Sequence, residues 1–539
     1  MNCDMKKYIN IIMIAASLAA VSCTKNFLDR NTNQEEATDE MLTHDNLTTG
    51  SAFAQMTKNV IPTYQTTGSE EYGTANYQII DDLAGNMFAG YISPTNTGFS
   101  QNNFYNLNND GWCKAMFNDA YTRLMGSWTE LNKQREEFPE IAALADIVKI
   151  ACMHRITDSY GPIPYSEVGS GAVTLAYDSQ EAIYKSFFEE LDNAITILTN
   201  FYEAQPSTKI LENFDQIYSG NVGSWVKFAN TLRLRLATRV SYVDEALYKA
   251  QAEAAINNSV GLMEEANDIA KFNKPNSGSW EYPIYIIQYS FNDAAIGATF
   301  ETYLNGFNDP RISNYCTIGS DNAYHGVRAG VTLNANYKSS TLLSHVNCTN
   351  NDDVPWMVPA EAWFLKAEYY LRTGDDAQAQ ECYEQGIRVA FETVGASGVD
   401  AYITDETSTP GSFTDVVNSS NSYRSDLSDT PIAWSAVSSF ENHLEQIITQ
   451  KWIAMFPIGQ EAWSEFRRTG YPSVIPFSVN NSSGGIDTQK QIRRLIYPAE
   501  EYRNNAENVT AGIVTLNGES AEAKGDKGGT RLWWDKNDL

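Results

Sequence analysis

Two stretches of the chain gather aromatic rings among amide side chains. Residues 81–112 hold Phe88, Tyr91, Phe99, Phe104, Tyr105 and Trp112, interleaved with Asn86, Asn96, Asn102 and Asn103. Residues 280–291 crowd Trp280, Tyr282, Tyr285, Tyr289 and Phe291 into one short segment. The chemistry this suits is recognition. Rings stack on the apolar face of a pyranose and amides bond its hydroxyls, while a peptide also uses aromatic pockets. The rival reading, for any single ring, is a loop side chain that plugs the core.

Residue patterns for catalysis are weaker. The acidic pairs Asp81-Asp82, Glu264-Glu265 and Asp352-Asp353 are sequence neighbours, which do not flank a scissile bond. His44, His154, His325, His345 and His443 follow no HExxH or other metal spacing. There is no GxSxG, P-loop or dinucleotide fingerprint in a strand–helix context. No enzyme activity and no cofactor are expected, and a structural calcium ion would have no ligand spacing behind it. The formal charge of −29 repels nucleic acid and anionic lipid head groups, so neither is an expected partner.

The N-terminus reads as a targeting segment. Lys6 and Lys7 precede a short apolar run at residues 8–21, too short to span a bilayer, and the run ends at Ala20-Val21-Ser22-Cys23. This is similar to a bacterial lipobox, with Ala20 where Leu is usual. Residues 1–22 would be the signal peptide, whether Met1 or Met5 is the start, and Cys23 the acylated first residue of the mature chain. Losing two Lys and one Asp would take the charge from −29 to −30. The other cysteines, Cys113, Cys152, Cys316, Cys348 and Cys382, are odd in number and scattered. A Cys316–Cys348 bond is conceivable, but isolated buried thiols fit better.

The elements that must position the rings are helical. Residues 359–392 form two arms joined at Thr373-Gly374-Asp375. Trp363, Ala367 and Tyr370 share one face of the first arm, and Ala379, Tyr383 and Gly386 repeat that spacing in the second. Large-then-small alternation lets antiparallel helices approach closely, as in a tetratricopeptide repeat, with Lys366 and Phe391 departing from the usual pattern. One such hairpin cannot bury its own faces, so others are expected. Helices are predicted over residues 47–65, 117–135, 141–160, 179–201, 222–242, 244–258 and 294–304. Residues 81–112 carry too much Gly, Asn, Pro and Ser for a long helix. Arg235 and Arg239 share a face and should be solvated or ion-paired. Residues 261–350 and 400–439 read as loop-rich insertions on this scaffold.

Further segments complete a pattern: Asp158 to Glu167, the Trp225 helix, the Glu361 to Ile387 hairpin, Gln450-Lys451-Trp452 to Arg467-Arg468-Thr469-Gly470, and Tyr497-Pro498 to Asn508. With the lipobox at Cys23 they resemble, in order and over the whole chain, the SusD/RagB family of outer-membrane lipoproteins. The ending Arg531-Leu532-Trp533-Trp534-Asp535 and the Asp81 to Tyr91 segment are similar to a SusD-like sub-branch. The Asn-Pro-rich tail of the starch-binding branch is missing. The resemblance implies a mainly α fold, a single body over residues 23–539 of about four tetratricopeptide-like hairpins with a loop-rich half. It implies nutrient binding on the outer membrane, facing the cell exterior, and delivery to a SusC-like TonB-dependent transporter. The expected ligand is an oligosaccharide, with an oligopeptide or a purely protein-binding scaffold as alternatives. By analogy with the family, Phe88, Tyr91, Asn102, Tyr105, Trp112, Trp280, Tyr282 and Tyr285 are the nominated ligand contacts.

Overall fold

The structure, a computed structural model, describes residues 47–62, 74–275 and 280–537. Cys23 and the signal segment lie outside the described residues. The chain divides into two units, Met1–Ser51 and Ala52–Leu539; in the first, the described residues are helical.

Eleven α-helices of nine or more residues occur among the described residues: α1 Leu47–Lys58, α2 Pro139–Tyr160, α3 Gln180–Ala204, α4 Val222–Arg239, α5 Glu245–Ile256, α6 Ala298–Gly306, α7 Pro359–Thr373, α8 Asp376–Val394, α9 Phe440–Ala454, α10 Gly459–Thr469 and α11 Ala506–Glu519. Helices α2/α3, α4/α5 and α7/α8 pack as sequential pairs. The pair α9/α10 is tied by Lys451 Nζ to Glu465 at 2.7 Å. The mainly α, paired-helix architecture expected from the sequence is present.

Local chemistry sets the helix ends. Ser179 Oγ accepts from the Ala182 amide at 3.1 Å, and Asp375 Oδ1 from the Gln378 amide at 3.2 Å, so each first turn gains a capped donor. Gly374 closes α7 in the left-handed region, φ 85°, where other residues are strained. The seam of the α7/α8 hairpin differs from the predicted face. Trp363 and Tyr370 are only half-buried, and the ring between the helices is Phe364. A Cβ on Gly386 would lie 2.9 Å from Phe364 Cε1, so the small residue does admit a large one, one position along. Lys366 reaches Glu264 at 2.6 Å and lies over the Trp363 ring at 4.0 Å, which explains a cation where Leu is usual.

Helix α2 is buried from Ile141 to Tyr160, including Asp146, Lys149, Arg155 and Asp158. Charges at that depth need partners. Arg239, fully buried, bridges Asp158 at 3.3 Å, Glu461 at 2.6 Å and Glu465. Arg235 pairs with Glu361 at 2.6 Å, and Arg468 with Glu368 and Glu465 at 2.7 Å each. This network joins α2, α4, α7 and α10. The ion-paired reading of Arg235 and Arg239 is therefore the observed one. Burial opposes ionisation of Glu465, but Arg468, Lys451 and Arg239 outweigh it and hold its carboxyl well below the usual range.

The loop-rich half carries short strands. β1 Ile92–Pro94 pairs antiparallel with β3 Ala294–Ile296, and β2 Ala270–Phe272 with β4 Val354–Met357. The helix predicted over residues 294–304 instead begins as β3, and α6 follows from Ala298. Ala294-Ala295-Ile296 is fully buried between neighbours on both faces, so tertiary pairing overrides the helical preference of Ala. Residues 78–86 form a π-helical turn inside the segment read as loop. Gly85 lets it pass against α10: a Cβ there would sit 2.6 Å from the Gln460 amide nitrogen, and one on Gly459 2.3 Å from the Asn86 nitrogen. The helix predicted over 117–135 runs as two α segments, Ala115–Asp119 and Gly126–Asn132, joined by a π turn. Cys113, Cys152, Cys316, Cys348 and Cys382 are all free thiols, and Cys316 and Cys348 are not bonded.

Candidate functional site

Most of the nominated rings are core side chains. Phe88 packs on Trp463 at 5.1 Å, and Tyr91 stacks on Trp452 at 5.0 Å while its hydroxyl donates to the Trp452 carbonyl. Tyr105 stacks on Phe477 at 4.7 Å. Asn102 is buried, and its amide donates to the Leu83 carbonyl at 2.8 Å. Trp280 stacks on Phe272 at 5.9 Å and donates to the Asp352 carbonyl, and Tyr282 is buried beside it. These six support the loops and are buried, Tyr105 at the wall of a small cavity. Trp112 is half-buried, edge-on to Phe99 at 5.5 Å.

Tyr285 is the nominated residue that reaches a surface cluster. Its half-buried ring stacks on Tyr289 at 5.0 Å and 27°, and Tyr289 lies tilted against His345 at 5.5 Å. Tyr289 is 40% exposed and Phe291, two residues on, 45%. A turn of π-helix over Ile286–Ser290 sets these rings outward while Ile286, Ile287 and Gln288 face inward. The turn is tied down twice: the Tyr289 hydroxyl donates to the Val346 carbonyl at 2.7 Å, and Gln288 Oε1 accepts from the Val346 amide at 2.8 Å.

Polar groups flank the rings. Asn292, left-handed at φ 54°, donates from its amide to the Lys338 carbonyl. Asp293 accepts from Asn96 at 2.9 Å and from Lys338 Nζ at 2.8 Å. Burial pushes the Tyr289 hydroxyl up to about 12 and lowers His345, so both are neutral at neutral pH. The result is a shelf built on the stacked pair Tyr285 and Tyr289, with exposed Phe291 two residues along and amides at its edge, its carboxylate and ammonium already paired. Such a surface can stack on sugar rings and exchange hydrogen bonds with hydroxyls. Tyr289 and Phe291 were visible in the sequence but not nominated. Their signal is local: each sits between polar residues, Gln288, Ser290 and Asn292, whereas Tyr282 and Tyr285 adjoin Pro283, Ile284 and Ile286.

Among the described residues there is no group of three or more His, Cys, Asp or Glu that could hold a metal ion, and no helix long and apolar enough to cross a membrane.

A SusD homologue from Bacteroides uniformis superposes with a TM-score of 0.82 at 35% identity, covering 91% of this chain and 99% of its own. A chitin-binding SusD homologue from Flavobacterium johnsoniae gives 0.82 at 36% identity over the same shares. A SusD homologue from Bacteroides thetaiotaomicron gives 0.81 at 33%, again 91% and 99%. No curated protein matches the chain. The family model for SusD-like proteins, described as SusD and RagB outer membrane lipoproteins, matches residues 29–535. With that match over most of its length, and paired helices under a loop-borne shelf, the chain belongs to the SusD-like family.

Proposed function

We propose that this protein is a lipid-anchored, surface-exposed binder of neutral oligosaccharides that passes its ligand to a SusC-like TonB-dependent transporter and does not cut it. The observation that carries the reading is the exposure of Tyr289 and Phe291 beside Tyr285, on a turn whose backbone is pinned by Gln288 and the Tyr289 hydroxyl. Exposing rings of this size to water costs free energy unless a ligand covers them. A glycan of the neutral, ring-stacking kind bound by the chitin-binding relative suits that need.

Anchoring rests on the run ending at Cys23 and on the membership of an outer membrane lipoprotein family. Delivery follows from physics: a tethered binder has neither a pore nor an energy source, so its cargo must go to a partner that has both.

The test is calorimetry of the mature protein against a panel of neutral oligosaccharides, chito-oligosaccharides included, and against a peptide digest, with product analysis alongside. Glycan binding without new reducing ends supports the proposal. Binding to peptides only, or cleavage of the glycan, overturns it. Separately, Cys23→Ala should release the protein from the membrane fraction, and pull-down from solubilised outer membranes should recover a β-barrel transporter.

A further inference from the structure

A cavity of about 120 Å³ opens where three loops meet, at residues 105–107, 481–486 and 526–528. It shares no residue with the aromatic shelf and does not depend on the shelf's proposed role. It is open to solvent and has room for several waters or for a small ligand in their place.

Its walls are held rigidly. Tyr105, left-handed at φ 52°, stacks flat on Phe477 at 4.7 Å and 6°. A Cβ on Gly529 would meet the Gly485 carbonyl oxygen at 2.3 Å, so the two C-terminal loops touch backbone to backbone. Asp526 faces the cavity already satisfied, by Arg494 at 2.5 Å, the Tyr502 hydroxyl at 2.6 Å and the Tyr497 amide at 3.2 Å. Its charge is offset by the buried Arg494 guanidinium.

Ser482 is bonded to Asn480 at 2.6 Å, which leaves two amides and an ammonium open. The side-chain amides of Asn106 and Asn481 are exposed at the cavity and have no protein partner among the described residues. Lys527 lines the same cavity, and no described carboxylate lies within ion-pair distance of it. That is unexpected in a chain with 67 acidic and 38 basic residues. The surroundings share the bias: residues 481–494 and 522–536 together carry seven basic and four acidic side chains, within a chain of net charge −29. A local positive potential around an unpaired ammonium attracts an anion, and flanking amides select one that carries hydroxyls.

We propose that this cavity binds one carboxylate-bearing pyranose, a hexuronate unit, with Lys527 Nζ pairing the carboxylate and Asn106 and Asn481 bonding ring hydroxyls.

The test is titration of the mature chain, followed by ligand-observed NMR, with D-glucuronate, D-glucose and acetate. Variants are Lys527→Gln, Asn481→Leu and Tyr289→Ala; all three side chains are exposed, so each variant should fold. The expected result is glucuronate bound at least tenfold more tightly than glucose or acetate. Lys527→Gln should remove that preference, Asn481→Leu should weaken binding severalfold, and Tyr289→Ala should leave it unchanged. Glucuronate binding no tighter than glucose, acetate matching glucuronate, or indifference to Lys527→Gln each overturns the proposal. Loss of glucuronate binding in Tyr289→Ala also overturns it, by placing the acid on the shelf. Neutral-glycan binding at the shelf is read in a different variant with a different ligand, so the two readings can fail separately.

Discussion

Asp82 is a buried carboxylate without a cation on it. It lies on the π-helical turn over residues 78–86; Asn86 donates to Oδ1 at 3.1 Å, and Oδ2 has no partner. Burial pushes its pKa from 3.8 up to about 7; the Asn86 hydrogen bond opposes the rise and the neighbouring Asp81 charge adds to it. The perturbation is Asp82→Asn, which keeps the acceptor for Asn86 and removes the titration. The sign follows from linkage. The folded state holds a proton that the unfolded state has released between about pH 4 and pH 7, so wild-type stability falls as pH rises through that window. A rise of roughly 3 units corresponds to about 4 kcal/mol at 1.36 kcal/mol per unit, an upper bound. Urea unfolding of both proteins from pH 3.5 to 8.5 reads it. The variant should match wild type below pH 4 and exceed it by about 2–4 kcal/mol at pH 8. A difference that does not change with pH, or a variant less stable at pH 8, refutes the reasoning.

Three further expectations follow from the same structure. Arg468→Met leaves buried Glu368 with Arg372 alone and Glu465 with Arg239 and Lys451, and should cost about 3 kcal/mol in denaturant unfolding, the lower end for a broken buried pair. Gly459→Ala drives a methyl into the Asn86 backbone at 2.3 Å and should cost about 1–3 kcal/mol, read as a lower unfolding midpoint at unchanged m-value. Glycan binding at the shelf should be flat from pH 6.5 to 9, because burial keeps His345 neutral above its lowered pKa and Tyr289 protonated up to about 12; calorimetry across that range checks it.

The scaffold was legible because helices announce themselves. The Thr373-Gly374-Asp375 break falls at the observed turn between α7 and α8, and the helices predicted from residues 179 and 244 begin one residue later, capped by Ser179 and Asp244. Periodicity also showed that Arg235 and Arg239 share a face. It could not show that the face is buried, since that depends on Glu361, Glu461 and Glu465 from helices more than a hundred residues away. The site was legible only as a region. A ring in a loop reads the same whether it plugs the core or meets water, and Tyr91 and Tyr289 differ by a tertiary fact: one lies between Trp452 and Phe300, the other at the edge of His345. The cavity at Lys527 left no local signal, because its three walls are far apart in the chain.

The most direct test of the central claim is calorimetry with a neutral oligosaccharide that the wild-type protein binds, repeated on Tyr289→Ala and Phe291→Ala. Tyr289→Ala gives up the hydroxyl bond to the Val346 carbonyl while Gln288 still holds the turn, and Phe291→Ala removes an exposed ring, so loss of stability should be small in the second variant. Binding should weaken at least tenfold, about 1.4 kcal/mol, in each variant, with no cleavage product in any sample. Unchanged affinity in both variants would contradict it.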